Sequence, residues 1–351
     1  MKYGIITFHN TLNCGAALQA YALCKFLRNN GVECDILDYK CPSIVRRELQ
    51  FKKSANPVKT GINYLFVWPK QKKMNSDFLS IMHDEKMLSE VTFTPENIDT
   101  ANSLYDGFIT GSDQVMNLKI TQNDFNYFLA FANDDKAKIA FSASLGERWN
   151  DSENKKVISF LERYSAISLR EKNDCDFLNA LGLKSVHTCD PTMLLTTKDW
   201  KQISIIPKER DYVLLYNPES GVEKIATLYA KQTGKQLIWI GTGRVKLSKK
   251  GAKTVRPSEW LGYIQNANAV FTDSYHGLLF SLYFNKPVWT MYNGERSSRQ
   301  LSLYNKLGIY DCVYSTDKGF QNNINYAACN TRIEHFREES AKYLISSIYR
   351  R

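Results

Sequence analysis

The sequence predicts an α/β protein built from two successive parallel-sheet domains, and three features carry that reading. Apolar strands alternate with helices closed by glycine, the alternation restarts after Asp190-Pro191-Thr192, and 351 residues is about twice the length of an ordinary domain. With 43% hydrophobic and 23% charged residues, the chain has the composition of a globular protein with real cores.

Tyr3 to Phe8 is a continuous apolar run, as in a strand covered on both faces. Ala16 to Asn30 follows as a helix with Ala17, Ala20, Leu23, Cys24 and Leu27 on one face and Gly31 just past its end, and Val32 to Leu37 is the next strand. Further strands are predicted at Gly107 to Thr110, Ile139 to Ala143, Ala166 to Leu169 and Val186 to Cys189, with helices at 151–164 and 171–181, the second closed by Gly182. The pattern then restarts with a strand at Tyr212 to Tyr216, a helix at Gly221 to Thr233 stopped by Gly234, and a strand at Leu237 to Ile240. Pro257-Ser258-Glu259 opens another helix, and Ala267 to Met291 reads as buried strand, polar turn, apolar helix and buried strand. Arg332 to Tyr349 forms a terminal helix with Ile333, Phe336, Leu344 and Ile348 inward. The resulting domains are 1–195 and 196–330, with 331–351 packing back on the body.

The eight cysteines include no Cys-x-x-Cys pair, so spacing suggests neither a zinc site nor a redox dithiol, and the absence of a clustered carboxylate or histidine motif argues against a dedicated metal site. Met1 to Phe8 is too short for a signal peptide and no segment reaches the roughly 18 uninterrupted apolar residues of a membrane span, so a cytoplasmic protein is expected. The formal charge of +10 is concentrated in residues 46–73, where Arg46, Arg47, Lys52, Lys53, Lys59, Lys70, Lys72 and Lys73 face one acid, Glu48. Inside it, Gly61 to Pro69 suits an anionic membrane surface with Tyr64 and Trp68 at headgroup level; the same stretch also fits a solvated loop with a packed plug. No base-stacking or groove-reading motif accompanies the charge, which argues against nucleic acid.

Two sequential α/β domains open a cleft at the carboxyl ends of their strands, and ligand sites concentrate there. On the first domain the cleft residues are the loop His9 to Gly15, the loop Gly111-Ser112-Asp113-Gln114 with Asn117, Ser142 to Gly146, and Arg170. Gly-x-Gly-x-x-Gly spacing is absent around Gly15, so a nicotinamide cofactor is not expected. Gly111 permits close backbone approach and Asp113 is placed to accept a proton from a hydroxyl, or else to make a local helix cap. Arg170 offers a planar guanidinium to a carboxylate or phosphate, or a structural ion pair to Glu171. On the second domain Thr272, Asp273, Ser274 and His276 sit where a strand ends and a helix begins, a position that attracts anions, although Ser274 also reads as a plain cap. Ser297-Ser298-Arg299 precedes a helical stretch at Gln300 to Leu307. Two arginines and helix termini suggest a dianionic ligand.

These pieces come together in a resemblance that covers most of the chain. Asn13 to Ala22, Gly111 to Asn117, Ile167 to Lys172, Asp190-Pro191-Thr192, Thr272 to Gly277 with Asn285-Lys286-Pro287, and Ser298-Arg299 resemble the polysaccharide pyruvyl transferase family. The resemblance implies two Rossmann-like domains facing a central cleft, as in GT-B glycosyltransferases, and transfer of pyruvate from phosphoenolpyruvate to two hydroxyls of a sugar in surface polysaccharide biosynthesis. It implies that His276 and Arg170 hold phosphoenolpyruvate, with His276 as the acid, and that Asp113 takes a hydroxyl proton on the acceptor side. Asn13, Gly15, Gln19, Ser112, Gln114, Asn117, Ser274 and Arg299 are then substrate-binding positions. Met116 stands where the family usually has tryptophan. Phosphoenolpyruvate serves as donor with no separate cofactor, and the sugar acceptor is carried by lipid diphosphate, nucleotide or polymer. Two other readings fit the same residues: a GT-B-like glycosyltransferase using a nucleotide sugar, and a non-catalytic carbohydrate or lipid-phosphate binder at a membrane surface.

Overall fold

Strands without a polar face need helices on both sides, and here they become the middles of two parallel sheets. The computed structural model describes residues 1–51, 53–219, 221–241, 252–291 and 298–349; Lys52 and Ser297 of the sequence reading lie outside them. The first sheet contains β1 (Lys2–Ile6), β2 (Glu33–Tyr39), β3 (Leu88–Phe93), β4 (Gly107–Asp113), β5 (Ala137–Ala143), β6 (Ala166–Leu169) and β7 (Val186–His187), in the order β3-β2-β1-β4-β5-β6-β7. The second contains β8 (Tyr212–Tyr216), β9 (Gln236–Ile240), β10 (Ala252–Lys253), β11 (Ala269–Thr272) and β12 (Val288–Trp289), in the order β10-β9-β8-β11-β12.

The covering helices are α1 (Cys14–Asn29), α2 (Pro57–Ile62), α3 (Trp68–Asp84), α4 (Asp151–Leu161), α5 (Lys172–Ala180), α6 (Val222–Thr233), α7 (Pro257–Asn266), α8 (Tyr275–Tyr283), α9 (Ser298–Leu307) and α10 (Tyr326–Tyr349). α1 starts two residues earlier than the apolar period indicates, because Asn13 caps it by accepting the Gly15 amide at 3.1 Å. α10 likewise begins at Tyr326 rather than Arg332. β3 was not legible in the sequence: it is an edge strand whose Glu90, Val91 and Thr92 are exposed, so it lacks the apolar run that marks a covered strand.

A larger difference concerns Gly111-Ser112-Asp113, predicted as a loop but forming the buried end of β4. Gly111 does not serve a ligand: a Cβ there would come within 2.6 Å of Leu23 Cδ2 on α1, so the glycine lets helix and sheet meet.

The two sheets share a core. Trp200, fully buried, stacks edge-on to Phe280 of α8 at 5.0 Å and lies 6.2 Å from Tyr21 of α1. Its indole N–H also donates to the Thr192 carbonyl at 3.0 Å. The C-terminal helix ties back to the first sheet: Ser340 Oγ accepts the Cys189 amide at 2.9 Å and the Tyr343 hydroxyl donates to the Ile167 carbonyl at 3.0 Å. The Ser340 and Trp200 bonds hold the two ends of the short segment Cys189 to Thr192.

Candidate active site

The first sheet reverses its order between β1 and β4, the second between β8 and β11. At such a point the chain leaves neighbouring strands toward opposite faces, which opens a crevice beyond their carboxyl ends. Both crevices contribute to one cavity of about 380 Å³. Thr11, Leu12 and Asn13 follow β1, Asp113 and Gln114 end β4, Asn217 to Glu219 follow β8, Asp273 to His276 follow β11, and Arg170 and Arg299 complete the wall. Arg47 and Glu48, from the wide helical turn Val45–Leu49, also line the cavity.

Behind this wall lies a residue absent from the list of sequence candidates. Asp190 has no exposed surface, and its Oδ2 receives Arg170 Nη1 at 3.1 Å, His276 Nε2 at 3.2 Å and, weakly, the Ser112 hydroxyl at 3.4 Å. Its Oδ1 accepts the Thr192 amide at 2.9 Å and the Thr192 hydroxyl at 2.7 Å. Burial raises a carboxyl's proton affinity, but His276, Arg170 and the Thr192 amide outweigh it and hold Asp190 well below the usual carboxylate range. Asp190 is therefore an ionised hub joining β4, β6 and α8. In the sequence the motif Asp190-Pro191-Thr192 marks where the pattern restarts and is one of the pieces that carry the family resemblance, with no role given to the aspartate.

Arg170 makes the ion pair with Glu171 and also stands in the cavity wall. Its Nε donates to Glu171 at 2.9 Å, the ion pair that competed with ligand binding, and its guanidinium lies 4.5 Å above the Tyr275 ring. Burial opposes its charge, while Glu171 and Asp190 overcome that cost and make the guanidinium harder to deprotonate. Two of its five N–H groups are engaged in these pairs, and the side chain, though 1% exposed, still forms part of the cavity wall. His276 enters from the other sheet at the first turn of α8. Ser274 caps that helix by accepting the Gly277 amide at 3.2 Å, so the cap reading and the cavity reading both hold.

Of the sequence-selected residues, Asn13, Asp113, Gln114, Arg170, Ser274, His276 and Arg299 line the cavity. Gly15, Gln19, Ser112 and Asn117 are not part of that wall, and each has a structural role beside it. A Cβ on Gly15 would sit 2.2 Å from His276 Nδ1, so the missing side chain is what admits the imidazole. Gln19 is fully buried and donates to the Thr7 hydroxyl at 2.8 Å and the Ala16 carbonyl at 3.0 Å. Ser112 supports Asp190, and Asn117 caps Leu118–Thr121 by accepting two backbone amides at 3.1 Å. Met116 is fully buried, with its carbonyl held by the Trp149 indole at 2.9 Å, and offers no surface to a sugar.

Asp113 ends β4 with φ of 62°, in the left-handed region that costs a non-glycine residue about 1–2 kcal/mol. Its Oδ1 accepts the neighbouring Gln114 amide at 2.9 Å, and the Ser144 amide donates to its carbonyl at 3.0 Å. These bonds hold the strained residue with its carboxylate on the cavity wall. Residues that sequence reasoning missed include Arg47 and Glu48, hidden in a segment read only for its net charge, and Asp273 as a brace: its carboxylate accepts the Glu219 amide at 2.7 Å and fixes the loop after β8.

The family model described as polysaccharide pyruvyl transferase matches residues 13–295. No curated protein matches the chain in sequence. Among solved structures, the chain is similar to a Methanocaldococcus jannaschii UDP-GlcNAc 2-epimerase in complex with UDP-GlcNAc and UDP, at 11% identity, TM-score 0.52 and 99% coverage of each chain. It is also similar to a putative UDP-N-acetylglucosamine 2-epimerase from Listeria monocytogenes (10% identity, TM-score 0.49, 97% of this chain and 90% of that one). A Streptomyces sp. SF2575 glycosyltransferase is a third (10% identity, TM-score 0.42, 97% of this chain and 96% of that one). The fold is thus α/β of the GT-B-like kind, two parallel sheets with a C-terminal helix.

Next to the hub, burial and the neighbouring Glu171 carboxylate push the Asp174 carboxyl up from 3.8 to about 7. Its folded state binds a proton more tightly than the unfolded chain does. The stability this proton contributes is full below the ordinary carboxylate value and is lost as pH rises through about 7. Replacing Asp174 by Asn keeps the shape and removes the titration. The Tm difference, Asp174→Asn minus native, should therefore grow between about pH 4 and 8. Melting curves across that range check it, and a constant difference contradicts the assignment.

Proposed function

The chain belongs to the polysaccharide pyruvyl transferase family, and from that premise we propose that it moves pyruvate from phosphoenolpyruvate onto two hydroxyls of a sugar, closing a cyclic ketal in capsule or exopolysaccharide synthesis. One observation carries the reading: Arg170 and His276, from opposite sheets, line one cavity and are fastened to one buried carboxylate. Phosphoenolpyruvate is a small trianion at most, and a guanidinium, an imidazole and a helix mouth are groups that bind such a charge. Arg299, on the same wall, supplies a further cation.

The chemistry follows from where these groups stand. Nε2 of His276 is held on Asp190, so the carboxylate fixes the ring as in other Asp–His pairs, with the imidazole in the cavity wall. Protonation of the methylene carbon from His276 makes a methyl group and an oxocarbenium-like carbon. A sugar hydroxyl attacks that carbon while Asp113 takes its proton, the bond to phosphate oxygen breaks, and a second hydroxyl closes the ring. Of the two hydroxyl protons, one ends on the methyl carbon and the other on the departing phosphate. Arg170 and Arg299 offset the charge of carboxylate and phosphate throughout. The reaction needs no cofactor or metal beyond the donor itself. The acceptor sugar, carried on a lipid diphosphate or nucleotide, enters on the side of Asp113, Gln114 and Asn13. Because the donor is an intracellular metabolite, the enzyme works in the cytoplasm.

The test is to incubate the protein with phosphoenolpyruvate and a panel of lipid-linked and nucleotide-linked sugars. Inorganic phosphate should appear together with a product heavier by one pyruvate less water, and His276→Ala should slow it by about 10²–10⁴-fold at saturating donor. Phosphate release with no acceptor on the panel, or a rise in Tm with nucleotide sugars and none with phosphoenolpyruvate, would overturn the reading. A second variant probes the geometry. Gly15→Ala places a Cβ against the His276 ring and displaces it, so turnover should fall at least tenfold in a protein that still folds, its circular dichroism native and its Tm lowered by the overpacking. Full activity of Gly15→Ala would show that the ring position is unimportant.

A further inference from the structure

Among the described residues, the longest run of large apolar side chains standing in solvent lies in one segment. Val58 (72% exposed), Ile62 (53%), Tyr64 (57%), Leu65 (65%) and Phe66 (65%) follow closely on one another, and no residue of α2 is buried. Val58, Ile62, Leu65 and Phe66 recur at helical spacing along Pro57–Val67, so the helix presents an exposed apolar stripe. Cations flank the stripe along the chain: Arg46, Lys53, Lys59, Lys72 and Lys73 are all exposed. Glu48, the one acid between residues 46 and 73, is buried and paired with Arg47 at 3.2 Å.

We propose that the helical segment Pro57–Val67 is a docking surface for an anionic lipid bilayer, lying in the headgroup layer with Val58, Ile62, Leu65 and Phe66 inserted and the flanking lysines on the anionic heads. Charge complementarity selects this occupant. A second copy of the chain docked through the same face would bring two basic rims together, whereas anionic headgroups neutralise one. The segment is far too short to cross a bilayer, which takes about 20 apolar residues, and its apolar stripe with basic flanks is the pattern of a helix lying in the interface. Placement gives the contact a use. α3, which continues this helix, packs against the turn Val45–Leu49 that brings Arg47 and Glu48 into the cavity wall. A protein docked here holds the acceptor side of its cavity beside the membrane surface, where a lipid-carried sugar would arrive; that use rests on the proposed pyruvyl transfer, while the docking itself does not.

Sedimentation with sucrose-loaded vesicles tests it, using the full chain and no phosphoenolpyruvate. The protein should pellet with vesicles of phosphatidylcholine and phosphatidylglycerol, much less with phosphatidylcholine alone, and less again as salt is raised. Leu65→Glu/Phe66→Glu, on an exposed face, should weaken binding at least tenfold while its circular dichroism and Tm stay native, and Lys72→Glu/Lys73→Glu should remove the preference for anionic vesicles. Native protein that stays in the supernatant with anionic vesicles overturns the proposal, as does a Leu65→Glu/Phe66→Glu variant that pellets like native. A native dimer in solution that this variant converts to monomer, without vesicle binding by either, overturns it in favour of self-association. Because none of these assays involves turnover, they can fail or succeed independently of the pyruvyl transferase reading.

Discussion

One buried carboxylate organises the centre of this molecule. Moving a carboxylate out of water costs several kcal/mol even after relaxation, so Asp190 is tolerable only with its oxygens fully served. Its donors come from Ser112 at the end of one strand, Arg170 at the end of another, Thr192 in its own turn, and His276 at the head of a helix in the second sheet. Loss of any charged partner would leave an uncompensated charge in the interior, a change that typically costs about 3–5 kcal/mol. The cavity wall is consequently set by the same bonds that set the relative position of the two sheets.

The packing around Asp190 reinforces this. Trp200 wedges between α1 and α8 and holds Thr192 through its indole, while Ser340 of the terminal helix holds Cys189. A rotation of one lobe against the other would have to separate Trp200 from Phe280 and stretch the bond from His276 to Asp190. The first sheet supplies both a cation and an anion to the cavity wall, Arg170 after β6 and Asp113, held in a strained backbone, at the end of β4; the second supplies His276 at the mouth of α8, with Arg299 on the same wall.

Much of this was legible in the sequence, for physical reasons that differ by element. Covered strands such as Tyr212–Tyr216 announce themselves because both faces are apolar, and helices ending at Gly31, Gly182 and Gly234 because those glycines adopt positive φ. β3 escaped because an edge strand keeps a solvated face. Gly111 to Asp113 looked like a loop because serine, glycine and aspartate are turn residues in isolation; only tertiary contacts, a helix against Gly111 and Asp190 beside Ser112, make them strand. His276, Arg170 and Asp113 could be found from position alone, since each follows an apolar strand. Asp190 could not, because nothing local distinguishes a cap before proline from a charge that two lobes share. Gly15 stands out in the sequence as a cleft residue, but the space it leaves for a ring distant in sequence is a tertiary fact that no local pattern carries.

Calorimetric titration of phosphoenolpyruvate into native protein and Asp190→Asn tests the central claim most directly. The amide keeps the shape of the carboxylate but forfeits its charge, so Arg170 and His276 lose the anchor that aims them. The account expects folded Asp190→Asn to bind phosphoenolpyruvate at least tenfold more weakly than native protein, with Ser112→Ala, which removes only the 3.4 Å contact, close to native. A folded Asp190→Asn that binds the anion as tightly as native, or more tightly because a negative charge has gone, would contradict it.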